Sequence, residues 1–174
     1  MRVAALTDSD APAYRDLMLE AYEQAADAFT TTAQERSAEP MSWWVKRIGS
    51  PSALSCCFGA WEGAELVGTV ALQFAAKPKT RHGVLVIGMY VKPRLRGKGI
   101  GRLLMRAAIE AAAARPEVQV LTLTLTEGNE AALHLYKSMG FTAWGVEPLA
   151  ILTSDGLKGK VHMAMPLARA GAAV

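Results

Sequence analysis

Apolar residues recur along this chain with two alternating periods. A short apolar run, Arg2 to Leu6, predicts a strand, and Thr7 or Asp8 then opens a helix carrying Ala13, Leu17, Leu19, Ala21 and Tyr22. A second helical stretch is expected from about Pro40 through Trp43, Trp44 and Ile48. From residue 53 the texture changes: ALSCCFGAW, a Glu62-Gly63 turn and ELVGTVALQFA predict two strands joined as a hairpin. After the polar loop KPKTRHG, the residues Val84 to Val91 are apolar on both faces, as a strand in the middle of a covered sheet would be.

Ile100, Leu103, Leu104, Ala107, Ala108 and Ala111 then repeat at helical spacing, and Pro116 marks the end of that helix. The next segment, VLTLTLT, alternates leucine and threonine with a period of two, so it reads as a strand with unlike faces. Asn129 is placed to cap a helix burying Ala132, Leu135, Tyr136 and Met139, with Gly140 as its stop. FTAWGVEPLAIL, a Ser154-Asp155-Gly156 turn and KVHMAMPL close the chain as a second hairpin. The 174 residues, 51% of them hydrophobic, suffice for one well-filled core, so a single α/β domain over 1–174 is expected, with a tail lacking fixed structure from about residue 168.

Composition narrows the class. No stretch approaches the roughly 18 apolar residues needed to span a bilayer, and acids stand where a signal peptide would be apolar, so a soluble, cytoplasmic protein is expected. Cys56 and Cys57 are neighbours that strand alternation points to opposite faces, which argues against a disulfide between them. The net charge is only +3, but residues 76–115 hold ten of the nineteen Lys/Arg and one acid, Glu110. Residues 1–50 hold eight acids against five Lys/Arg. The basic stretch suggests a localised anionic partner such as phosphate. A nucleic-acid surface would interleave aromatics with the cations, and Tyr90 alone does so here, so no nucleic acid is expected.

The candidate chemistry lies in residues 91–101, VKPRLRGKGIG. Glycines let successive N–H groups turn toward one ligand, and the helix that follows adds its unpaired donors and positive dipole end. The segment is not a P-loop, because Lys98 is followed by Gly-Ile, and it is not a dinucleotide fingerprint, because counted from Gly97 the third glycine's place is taken by Arg102.

Arg96-x-x-Gly99-x-Gly101, opening a helix after a strand that ends Val91-x-Pro93, resembles the acetyl-CoA pyrophosphate signature of the GCN5-related N-acetyltransferases. A second block, Asn129-x-x-Ala132-x-x-x-Tyr136-x-x-x-Gly140-Phe141, is similar to that family's next helix and strand. The resemblance implies a mixed, largely antiparallel central sheet flanked by helices. It also implies direct transfer of an acetyl group from acetyl-CoA, as co-substrate, to a primary amine.

On that resemblance the backbone of Arg96, Gly97, Lys98, Gly99, Ile100 and Gly101 holds the pyrophosphate. Met89 and Val91 flank the thioester, and the Val91 N–H is a candidate donor to the acyl oxygen. Tyr136 reads by pattern as a buried aromatic, while the resemblance casts its hydroxyl as the general acid for the departing thiolate. Asn129 either caps its helix or bonds the pantetheine arm. Glu127, Glu23, Glu35, Tyr90 and His82 are open alternatives for a general base. Phe29, Trp43 and Trp44 are either core or the wall of an acceptor pocket, where the excess of acids would suit a cationic amine. A small-molecule amine is the preferred acceptor, because no long peptide-binding insertion is visible; a protein N-terminus or lysine, or an acyl-CoA-binding module without turnover, are the alternatives. His134 and His162 lack ligand-like spacing, so no metal is expected, and the final hairpin, with Leu149, Ile151 and Leu152, offers edges for a homodimer.

Overall fold

The computed structural model describes residues 1–49 and 54–167, so the expected C-terminal tail lies outside the described residues. Its strands are β1 (Arg2–Ala5), β2 (Ser55–Glu62), β3 (Glu65–Phe74), β4 (Gly83–Val91), β5 (Val120–Thr126), β6 (Thr142–Thr153) and β7 (Gly156–Pro166). Its helices are α1 (Ala11–Gln24), α2 (Ala33–Ser37), α3 (Met41–Ile48), α4 (Ile100–Ala113) and α5 (Glu130–Ser138). The strands form one sheet in the order β1-β2-β3-β4-β5-β7-β6. Only β4 and β5 run parallel. This is the mixed, largely antiparallel sheet expected.

Helix α2 was not anticipated, although its signal is local: Thr32 accepts from the Glu35 N–H at 3.2 Å, and the Glu35 carboxylate accepts from the Thr32 N–H at 2.7 Å. This reciprocal capping box holds a helix too short to persist without it.

The sheet is covered on both faces. Tyr14, Leu17, Met18 and Ala21 of α1 pack with Trp44 and Ile48 of α3 against Cys57, Leu66, Ala71 and Tyr90. On the other face Leu104, Met105, Ala108 and Ala112 of α4 and Tyr136 of α5 cover Val67, Leu72, Val84, Val86, Leu121 and Leu123. The α4 stripe is therefore turned from the one expected: Met105 and Ala112 are buried, while Leu103 is 41% exposed. A flat sheet takes the face centred on Leu104 and Ala108, and the residues at its margin are decided by how the helix rolls.

Strand β4 changes phase midway. Ala71 pairs with Ile87 and Thr69 with Tyr90, so Gly88 and Met89 together oppose the single residue Val70. Gly88 takes φ +62°, which a side chain would resist. Before this bulge Val84 and Val86 face α4; after it Met89 and Val91 do, and Tyr90 faces α1. The outer strand β6 leaves Trp144, Val146, Leu149 and Leu152 exposed, whereas Ile151 is buried.

Leu104 is fully buried beneath the sheet. Leu104→Ala is expected to lower the unfolding free energy by about 2–5 kcal/mol, with an unchanged denaturant slope in guanidinium unfolding.

Candidate functional site

The site begins where β4 and β5 separate. Their parallel pairing covers Gly83–Val120, Val84–Leu121 and Leu85–Thr122 and then stops, while β5 stays paired with β7 as far as Thr126. From Val86 onward β4 therefore has backbone groups on one side with no neighbouring strand. The Lys92 N–H donates to the Val67 carbonyl at 2.9 Å across β3, so strand alternation turns the Val91 N–H the other way, into the gap.

Two contiguous cavities fill this gap. One, of about 480 Å³, is lined by Met89, Val91, Arg96, Gly97, Gly99, Ile100, Gly101 and Asn129, among others. The other, of about 380 Å³, reaches from Gly88, Met89 and Tyr136 toward Tyr22, Phe29, Arg36 and Arg47. Phe29, Met89, Asn129, Ala132 and Leu135 border both. The structure thus brings together nine of the ten residues singled out from sequence for cofactor binding and catalysis; Lys98 stands exposed outside the lining.

The glycine turn is shaped for close approach. After the strand, Pro93–Leu95 forms a 3-10 turn anchored by buried Leu95, and Gly97 and Gly99 follow with φ of +77° and +79°. A Cβ built on either glycine meets nothing within 4 Å, so backbone conformation rather than crowding selects glycine there. Gly101 differs: its Cβ would come within 3.1 Å of Leu135 and 3.2 Å of Met89, so α4 sits close against the groove floor. Arg96 donates from Nε to the Val91 carbonyl at 3.0 Å, which ties the turn to the strand end.

Not all of the basic segment is free to meet an anion. Lys92 pairs with Glu20 and Glu65 at 2.9 Å each, and Arg94 pairs with Glu62 at 2.9 Å and Glu65 at 2.6 Å. These carboxylates come from α1 and the β2–β3 hairpin. Arg96, Lys98 and Arg102 remain beside the turn, with Arg102 bonded to Ser138 at 3.1 Å.

Tyr136 is 7% exposed and borders the second cavity. Burial pushes its phenol up to about 12, so it holds its proton across the working pH range. Asn129 accepts from the Ala132 N–H at 3.2 Å and also lines both cavities, so capping and lining coexist.

None of the base candidates lines the gap with a free acceptor. Glu35 is taken up by its capping box, and the Glu127 carboxylate accepts from the Gly159 N–H at 3.2 Å. Glu23 is exposed and lines neither cavity. Tyr90 donates to Glu20 at 3.0 Å, and burial together with that carboxylate pushes its phenol up to about 12. His82 precedes the nine-residue β4 at the end remote from Val91, about 25–30 Å away at strand rise.

The expected acceptor wall is also corrected. Phe29 lines both cavities, but Trp44 is fully buried and Trp43 borders a separate cleft. The acids of the N-terminal half face elsewhere: the charged residues lining the second cavity are Arg36, Arg47 and Lys160. Sequence reasoning missed these three. The one local signal was Arg47, a cation on the same helix face as Trp43 and Trp44. The segment before Phe29 is tied down beside this cavity: the Asp27 carboxylate accepts from the Ser154 N–H and hydroxyl at 3.1 and 2.8 Å, and the Asp27 carbonyl accepts from Thr126 at 2.6 Å.

Comparison with known proteins agrees with this geometry. The sequence profile of the Acetyltransferase (GNAT) family matches residues 15–141. Streptothricin acetyltransferase of Streptomyces lavendulae is 34% identical over 104 residues, which are 59% of this chain and 52% of that enzyme, so the match spans about half of its length. A GNAT-family acetyltransferase of Streptococcus pneumoniae superposes with a TM-score of 0.80 at 21% identity, covering 95% of this chain and 99% of the other. The Salmonella typhimurium protein yncA, solved with its cofactor acetyl-CoA, superposes with a TM-score of 0.78 at 21% identity, covering 100% of this chain and 98% of its own. The chain belongs to the GNAT acetyltransferase family.

Proposed function

We propose that residues 1–174 form one N-acetyltransferase domain that moves an acetyl group from acetyl-CoA to the primary amine of a small molecule. The carrying observation is the gap between β4 and β5, which joins the glycine turn at one end to Tyr136 at the other. Its parts fit acetyl-CoA in order: unpaired turn and helix N–H groups for the pyrophosphate, an unpaired strand edge for the pantetheine amides, and Met89 and Val91 beside the thioester.

In the reaction the amine nitrogen attacks the acetyl carbonyl carbon, a C–N bond forms and the C–S bond breaks. Overall an ammonium and a thioester give an amide, a thiol and one proton. The Val91 N–H donates to the carbonyl oxygen as its negative charge grows, a contribution of about 10²–10³ in rate for a preorganised donor. Tyr136 donates a hydrogen bond to the sulfur as its negative charge grows, and the departing thiolate takes its proton from water, which thereby returns one of the protons the amine gives up. A phenol pushed up to about 12 is too weak an acid to protonate a thiolate of pKa about 8.5, so its help is the hydrogen bond and not a completed proton transfer.

Among the described residues no carboxylate lines either cavity, and on this reading the amine loses its proton to water. Arg36, Arg47 and Lys160 assist, since nearby positive charge disfavours the ammonium form. The volume of the second cavity, about 380 Å³, supports a small acceptor. Cys56 and Cys57 are free thiols, which supports a reducing, cytoplasmic setting.

Thermal unfolding with acetyl-CoA, CoA and ATP at equal excess tests the reading. Both CoA species at about 100 times their Kd should raise Tm by about 5–10 °C and ATP by far less; no shift with saturating acetyl-CoA would refute it. Tyr136→Phe should lower kcat by about 10–100-fold with acetyl-CoA affinity kept within about twofold, since the buried ring remains. In the wild-type protein kcat/KM should climb about tenfold per pH unit toward the amine pKa. A break between about pH 4 and 7 would instead place an enzymic base in the path.

A further inference from the structure

We propose that the acceptor amine carries an anionic group, a carboxylate or phosphonate oxyanion, and that Arg47 with Arg36 binds it. The inference rests on the acyl-transfer reading above and names the class of its second substrate.

The wall that bears these arginines is built outward from the core. Trp44 of α3 is fully buried, edge-on to Tyr14 at 5.9 Å between ring centroids. Trp43 stands edge-on to Trp44 at 5.0 Å, so it is fixed in turn. The guanidinium carbons of Arg36 and Arg47 lie 4.6 and 5.3 Å from the centre of the Trp43 ring. Two cations are thereby held on one indole at the edge of the cavity that begins at Met89 and Tyr136.

Their own chain does not neutralise them fully. Arg36 reaches Glu39 at 3.5 Å and Thr31 at 3.2 Å. Arg47 has no carboxylate within salt-bridge distance among the described residues. The Nε atoms of both are buried without a hydrogen-bond partner. These Nε donors are closed off from solvent, so an occupant of the cavity meets the terminal N–H groups of the two guanidiniums, which line it. A guanidinium fork presents paired donors that match the two oxygens of a carboxylate or phosphonate.

Lys160 adds a third positive charge to the same cavity, whose lining among the described residues holds no Asp or Glu. A purely cationic amine would meet only like charge here, which selects against it. An amino acid or aminophosphonate meets the arginines with its oxyanion and turns its amine toward the thioester. Such a molecule is compact, because both ends must fit within one cavity of about 380 Å³.

The test follows thiol release from acetyl-CoA with alanine, leucine, phenylalanine and glutamate, each beside its carboxamide, and with 1-aminoethylphosphonate beside ethylamine. At least one acid should exceed its counterpart lacking the oxyanion in kcat/KM by about 30-fold or more, the worth of a charged hydrogen-bonded pair. Arg47→Gln should shrink that ratio about tenfold through KM, with acetyl-CoA binding by calorimetry kept within about twofold, and Arg47→Lys should restore part of it. Equal or better use of the amides, or an unchanged ratio in folded Arg47→Gln, overturns the anion site and leaves the transferase reading intact. Calorimetric titration of the same acids and amides, with and without CoA, decides where no thiol is released: preference for the acids upholds the site, and no preference overturns it.

Discussion

Two neighbouring strands cannot satisfy each other once they diverge, and the site is arranged around that fact. β4 and β5 hold parallel register for three residue pairs, after which β5 follows β7 and β4 follows β3. The free edge of β4 borders the two cavities, where its unpaired N–H and C=O groups can pair with a ligand that runs alongside as an extended chain. The Gly88 bulge sets which side chains border it, since it brings Met89 and Val91 to the α4 face and sends Tyr90 to α1.

Charge is sorted by the same geometry. The carboxylates of α1 and the β2–β3 hairpin gather Lys92 and Arg94 into a network behind the strand end. The groove itself is left with cations at both extremities: Arg96 and Arg102 by the glycine turn, Arg36, Arg47 and Lys160 by the far cavity. Between them lie apolar walls and the neutral Tyr136 phenol. A field of this kind favours anionic groups at both ends and an uncharged reacting centre in the middle. Among the described residues no carboxylate lines either cavity, and such positive surroundings lower the pKa of any amine placed there.

Much of the fold was legible because it is written in local chemistry. Strict alternation in VLTLTLT, the helical repeat after Gly101, the Asn129 cap and the Glu62-Gly63 turn each depend on residues close in sequence. The glycine-turn half of the candidate site was legible for the same reason: Val91 to Gly101 is one continuous segment. The capping box of Thr32 and Glu35 was equally local, yet no apolar repeat of five residues stands behind it to draw attention to α2.

What the sequence by itself determined was the order and type of the main elements, the glycine turn and the placing of Tyr136 on a core-facing helix, all matters of short spacing. The tertiary structure alone decided which residues meet from far apart. Arg36, Arg47 and Lys160 come from α2, α3 and β7 and share one cavity, while the N-terminal acids that composition assigned to that cavity are not part of its described lining. The roll of α4 and the phase of β4 were decided there too. Periodicity fixes that a face is apolar, but helix roll follows from packing, and a one-residue bulge in a strand apolar on both faces leaves no trace in the pattern.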